Sequence, residues 1–261
     1  MANSRTGILS SIIPALIFSF IFYSCKSETA VEPPPAKYGI QGKVTDDAGA
    51  ALSNVSIWLT YYYTEGSNNS AGLNKASLSK ISSTSDYPFK LYQNFPNPVL
   101  YRTFFRFSIP SEGEVSFKIT DKLTNEVLYS YSDNLVGGLY QMERNLRDSL
   151  KLKNGIYRYT VNFKSKTGET FSDTKELLLV CFWGNPSTAS DAEGNYFLSY
   201  NSIFAGDTVV VKPDEYSQSE QVLGNEVYLQ FEKEGYYTTP IKASLAKDIL
   251  LEKNIIMRKF K

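Results

Sequence analysis

Leu152-Lys153-Asn154-Gly155-Ile156-Tyr157-Arg158-Tyr159-Thr160-Val161-Asn162-Phe163 decides the fold class. Asn154-Gly155 is a turn pair, because both residue types tolerate positive φ. Directly after it Tyr157, Tyr159, Val161 and Phe163 fall on alternate positions, with Arg158, Thr160 and Asn162 between them. Successive side chains of an extended chain point to opposite faces, so this is a strand with one apolar and one polar face. The same period recurs outward in both directions. Upstream, Val115, Phe117 and Ile119 follow Gly113, Phe105, Phe107 and Ile109 run up to Pro110, and Val55, Ile57 and Leu59 share a face. Downstream, Val227, Leu229 and Phe231 repeat it. Helical periodicity is nowhere sustained, and residues 242–253 offer at most one short helix. Short alternating strands divided by turn residues predict an all-β protein built of β-sandwiches.

Composition agrees with this. Aromatic residues make up 14% of the chain, with 19 Tyr and 16 Phe, and such residues suit pleated surfaces. Its 261 residues allow one large domain or two ordinary ones. Lys+Arg and Asp+Glu balance at 27 each, so no net field draws in nucleic acid. Histidine is absent, which removes the usual general base near neutral pH, the Ser-His and Cys-His pairs and most zinc sites. No G-x-S-x-G, P-loop or dinucleotide fingerprint occurs. The expectation is a protein that is not an enzyme and needs no cofactor.

The first residues carry an address. Arg5 precedes an apolar run over residues 7–23, which ends at Ser24-Cys25 and the polar Lys26-Ser27-Glu28. These are the parts of a secretory signal, although about 17 apolar residues is also the lower limit for a membrane span. The segment resembles a bacterial lipoprotein signal, in which a small residue precedes the cysteine that becomes the lipidated first residue of the mature chain. The resemblance implies a signal peptide over residues 1–24, lipid attachment at Cys25, and an extracytoplasmic, outer-membrane location. Residues 25–36 include three consecutive prolines and read as an extended tether. With Cys25 acylated, Cys181 has no partner for an internal disulfide, and its apolar surroundings read as those of a buried thiol.

Residues 39–59 (GIQGKVTDDAGAALSNVSIWL) resemble the opening of a carboxypeptidase regulatory-like (transthyretin-like) domain. A hairpin is expected there, with Asp46, Asp47 and Gly49 in its turn. The family's following motif is delayed to Asp191-Ala192-Glu193-Gly194-Asn195-Tyr196-Phe197. Gly206-Asp207-Thr208, Gly235-Tyr236-Tyr237 and Ile255-Ile256-Met257 then suit the second half of the same fold. Between the halves, residues 87–163 resemble the Ig-like C-terminal sorting domain of type IX secretion substrates. Leu91-Tyr92-Gln93-Asn94-Phe95-Pro96-Asn97-Pro98, Phe105-Arg106-Phe107-Ser108-Ile109-Pro110 and the Leu152–Tyr159 stretch carry that likeness in order. A sorting domain belongs at a C-terminus, whereas residues 181–261 follow here, so a structural Ig-like module is expected.

The domain reading is therefore two Ig-like or transthyretin-like β-sandwiches, one inserted in the other. Residues 37–63 and 184–261 form the regulatory-like domain, residues 64–86 a polar linker, and residues 87–180 the inserted module. Two clusters are candidate sites. Asp46, Asp47, Asp191 and Glu193 would offer oxygen ligands to calcium if the halves meet, or serve as ordinary turn residues. Trp58, Tyr61, Tyr62 and Tyr63 would form an aromatic platform for a glycan or partner, or cover a sheet. The functional expectation is a membrane-anchored structural or protein-binding module of the cell envelope. The alternative is a carbohydrate-binding module using Trp58 and its neighbouring tyrosines.

Overall fold

The computed structural model describes residues 38–61, 77–82, 87–146, 150–180 and 185–260. The chain divides into two units, Met1–Ala36 and Lys37–Lys261, and the described residues all belong to the second. Cys25, the signal and tether segments, and Cys181 lie outside the described residues.

Two strands open the second unit, β1 (Gly39–Asp46) and β2 (Ser56–Tyr61). Next come β3 (Ser77–Ser82), β4 (Lys90–Leu91), β5 (Arg102–Ile109), β6 (Gly113–Asp121) and β7 (Val127–Leu135). They are followed by β8 (Gly138–Asn145), β9 (Gly155–Ser165) and β10 (Thr170–Leu179). Among the described residues, strands β3 to β10 pair only among themselves, as two sheets ordered β10-β9-β6-β7 and β3-β8-β5-β4. The remainder comprises β11 (Thr188–Ala189), β12 (Asn195–Ser199), a helical turn at Tyr200–Ile203, β13 (Thr208–Val211) and β14 (Ser219–Val222). It ends with β15 (Glu226–Glu232), β16 (Thr239–Ser244), β17 (Leu250–Glu252) and β18 (Ile255–Met257).

The two leading strands find their partners across the insertion. β1 pairs with β12, β17 and β18, while β2 pairs with β11 and β15, and β16 completes that second sheet. The protein is thus all-β, with one sandwich nested in a loop of the other. Surface loops accept long insertions because closure entropy grows only logarithmically with length. Every alternating apolar set named from the sequence faces a core: Val55, Ile57, Leu59, Val227, Leu229 and Phe231 in the first sandwich, and the β5, β6 and β9 sets in the second.

Several local expectations need correction. The turn at Asp46 forms, with Gly49 N–H donating to the Asp46 carbonyl at 3.1 Å and Gly49 at φ +83°. Yet β1 and β2 are not a hairpin. The return pairs only Thr45 with Ala51, after which Leu52 and Val55 dive into the core and carry the chain to the facing sheet. Ser190 pins that crossing, its hydroxyl donating to Leu52 O at 2.7 Å and accepting from Val55 N–H at 2.9 Å. The polar tract 64–86 contains β3, whose Leu78 packs on the second core while the strand pairs with β8. Its composition is that of a sheet edge with one apolar anchor. Residues 242–253 hold the end of β16, a turn and β17 rather than a helix, because pairing with β15 claims Lys242, Ala243 and Ser244.

Candidate functional site

The four carboxylates do not converge on one point. Asp46 Oδ1 accepts the N–H groups of Ala48 and Ala50 at 3.0 and 2.7 Å. Asp191 Oδ1 accepts those of Glu193 and Asn195 at 3.0 and 2.7 Å. Each aspartate closes its own turn by the local bonding that suits Asp to such positions. The turns are neighbours, since Val44 N–H donates to Gly194 O at 2.8 Å, but Asp47 and Glu193 are exposed. Among the described residues no group of three or more Cys, Asp or Glu is arranged to hold a metal ion.

Of the aromatic set, Tyr62, Tyr63 and the side chain of Tyr61 lie outside the described residues. Trp58 is half-buried on β2, on the face opposite the core-facing Ile57 and Leu59. It sits directly across from Gln230, with Tyr228 diagonal to it on the same face of β15.

The sorting-like signature occupies the junction between the sandwiches. Asn94 is fully buried: its side chain donates to Thr103 Oγ1 at 2.9 Å and its own N–H donates to the Tyr159 hydroxyl at 2.7 Å. Three residues on, Asn97 reaches into the other sandwich. Its backbone exchanges hydrogen bonds with Lys212 at 2.8 and 2.6 Å, and its amide donates to Val210 O. Its Oδ1 accepts Leu178 N–H at 2.8 Å. Ion pairs flank this seam: Lys122 lies 3.0 Å from Glu176 and 2.7 Å from Asp207, and Arg106 lies 2.6 Å from Glu215. Burial disfavours the Lys122 ammonium, but the hydrogen bonds it donates to Asp207 and Glu176, with their negative charges, outweigh it and raise its pKa. Asn154, half of the opening turn pair, donates to Leu59 O at 2.7 Å.

Asn97→Ala leaves the Leu178 N–H without a partner in a buried seam. The expected cost is about 3 kcal/mol, from a lost pair of side-chain bonds plus an unsatisfied donor. For a chain of this size that lowers the melting temperature by roughly 6–12 °C, which thermal denaturation followed by circular dichroism measures directly.

Sequence reading did not find two open surfaces among the described residues. A groove of about 600 Å³ runs along the outward face of β1, between Asn195 on one bank and Glu252, Asn254 and Ile256 on the other. A depression of about 340 Å³ lies over Glu114, Asn162 and Lys164 in the second sandwich.

No protein-family model matches the chain, and no curated protein matches it. Among solved structures it is similar to CopC from Methylosinus trichosporium OB3b, at 15% identity over 36% of this chain and 96% of that one, with a TM-score of 0.27. It is also similar to BcpA, the major pilin subunit of Bacillus cereus, at 8% identity over 86% of this chain and 100% of that one, with a TM-score of 0.21. Strand pairing and core contacts define the class without these likenesses: a β-sandwich protein of two Ig-like modules.

Proposed function

We propose that the chain is a non-catalytic lipoprotein, held at the cell envelope through acylated Cys25 and binding or supporting another macromolecule with its two-sandwich body. The observation that carries the second half is the burial of the sorting-like signature. Asn94 and Asn97 spend their polar groups inside the protein, so residues 87–180 serve as a structural module and not as a displayed export signal. The absence of histidine and the employment of Asp46 and Asp191 in turns support a binding role over catalysis. The regulatory-like and sorting-like resemblances belong to the same reading and rest on the motifs quoted above. Among the described residues no helix is long and apolar enough to cross a membrane.

The anchor rests on the apolar run ending at Ser24-Cys25. Mass spectrometry of the native protein is expected to find a mature chain beginning at acylated Cys25, and Cys25→Ala is expected to abolish both processing and anchoring. An intact 1–24 segment defeats the idea. For the inserted module, substitutions in residues 94–98 that leave it folded are expected to leave delivery to the envelope unchanged. Loss of delivery in a folded variant refutes the structural reading. Cross-linking in native membranes identifies the partner, and a stoichiometric protein is the expected capture for a protein-binding module. The alternative, a glycan bound at Trp58 and its neighbouring tyrosines, rests on the outward Trp58 beside Gln230 and Tyr228.

A further inference from the structure

The geometry points to the groove along β1 as a binding site for a neutral polysaccharide. This rests on the reading of the chain as a macromolecule-binding module and names the chemistry of what it binds.

The groove is built by a break in the strand beside β1. That neighbour is β17 as far as Gln41 and β18 from Val44 onward, and between them residues 253–254 leave the ladder. The Lys253 carbonyl dips beneath β1, where a Cβ on Gly42 would stand 1.8 Å from it. Glycine is therefore required at Gly42 by close approach of another backbone. The dip is fixed on three sides. Tyr196 donates its hydroxyl to Lys253 O at 2.7 Å, Lys253 N–H donates to Gln41 O at 2.8 Å, and Lys43 N–H donates to Asn254 Oδ1 at 2.9 Å. Tyr196 is itself buried against Phe231, with ring centroids 5.2 Å apart. The groove is thus held open before any ligand arrives, which reduces the ordering cost of binding.

Its chemistry selects the ligand class. The formal charges lining it are Lys43 and Glu252, which cancel. Gln41 supplies an amide, a donor and an acceptor in one plane, and such a group matches vicinal hydroxyls. Asn195 and Asn254 flank it with part of their capacity already used: the Asn195 amide donates to Asp191 Oδ2 at 3.2 Å, and Asn254 accepts Lys43 N–H and donates to Glu252 Oε1 at 3.3 Å. Ile256, 64% exposed on one bank, offers an apolar surface to the C–H face of a ring. A nucleic acid or acidic polymer would need surplus positive charge, which the lining lacks. A peptide adding as a strand would pair at an outer edge of this sheet, along β12 or along β17 and β18, and not over the outward face of β1, which is paired on both sides.

The test is affinity electrophoresis of the purified full-length protein through gels containing laminarin, glycogen, xylan or mannan. At least one polymer is expected to retard the protein, and Gln41→Ala and Lys43→Ala are each expected to weaken that retardation about tenfold at unchanged melting temperature. Thr174→Ala, on the outward face of the second sandwich, is the folded control. Passage of the wild type unretarded through all four gels overturns the inference. So does retardation that survives both groove variants, or that only Trp58→Ala removes. A protein cross-linked to the groove in native membranes also overturns it, while leaving the macromolecule-binding reading intact. Absence of any captured macromolecule and of any retardation overturns both.

Discussion

Above pH 10 the folded protein is expected to lose stability at a rate that climbs towards about 4 kcal/mol per pH unit by pH 11, far more steeply than its balanced charge suggests. Tyr157, Tyr159 and Tyr196 are buried, and burial, which penalises the phenolate, pushes each pKa well above its ordinary value of 10.0. Their hydroxyls are also committed, donating to Lys153 O at 2.7 Å, Tyr92 O at 3.0 Å and Lys253 O at 2.7 Å. In the unfolded chain all three ionise near 10. Between that pH and the raised folded values the unfolded state has released three protons that the native state keeps. Each contributes about 1.4 kcal/mol per pH unit, so stability is fully present below pH 10 and falls as pH rises. Lys122, also raised, acts in the same direction. Urea denaturation at pH 9, 10, 10.5 and 11 measures the slope. Tyr159→Phe should reduce it by about 1.4 kcal/mol per pH unit at pH 11, while lowering stability at pH 7 because Asn94 N–H loses its acceptor. A flat profile up to pH 11 would show that these hydroxyls are not held in a dry interior.

The core faces were legible because they depend on period-two patterning alone. Val55-Ile57-Leu59 and Val227-Leu229-Phe231 announce a buried face wherever their strands end up. Which sheet each strand joins is a different matter. The crossing of β2 away from β1 is decided by Leu52, Val55 and the distant Ser190, and no local pattern encodes it. The seam between sandwiches did leave a trace. Leu177-Leu178-Leu179 and Ile156-Tyr157 are unbroken apolar runs inside otherwise alternating strands, the mark of a strand covered on both faces. Leu177 and Leu179 face the second core while Leu178 faces the first, and Ile156 and Tyr157 divide the same way. The acidic cluster was legible as turn chemistry, since Asx turns follow from local spacing. The β1 groove was not, because it depends on Gly42 meeting a carbonyl contributed by Lys253.

Excision of the insert is expected to unfold what remains. A chain in which residues 66–184 are replaced by a short Gly/Ser linker retains every strand of the first sandwich, and strand inventory alone would let it fold. Its core, however, is incomplete. Ile156, Leu178 and Val180 belong to the insert by sequence and to the first sandwich by packing, each at most 4% exposed. Burying such side chains contributes about 1.5–3 kcal/mol each, so their removal costs roughly 5–9 kcal/mol. That is comparable to the whole stability of an ordinary domain, about 5–15 kcal/mol. The excision also strips Lys212 of its Asn97 partner and leaves Leu59 O without the Asn154 amide. The converse holds for residues 77–180 alone, which would expose that apolar triad to water. Neither sandwich is then an independent folding unit, and the intact chain should melt in one transition. Scanning calorimetry should give a calorimetric enthalpy equal to the van't Hoff value for the intact protein and no heat-absorption peak for the excised one. Two separable transitions in the intact chain, or a cooperative peak from the excised chain within a few degrees of it, would show that the shared triad contributes packing without coupling the sandwiches.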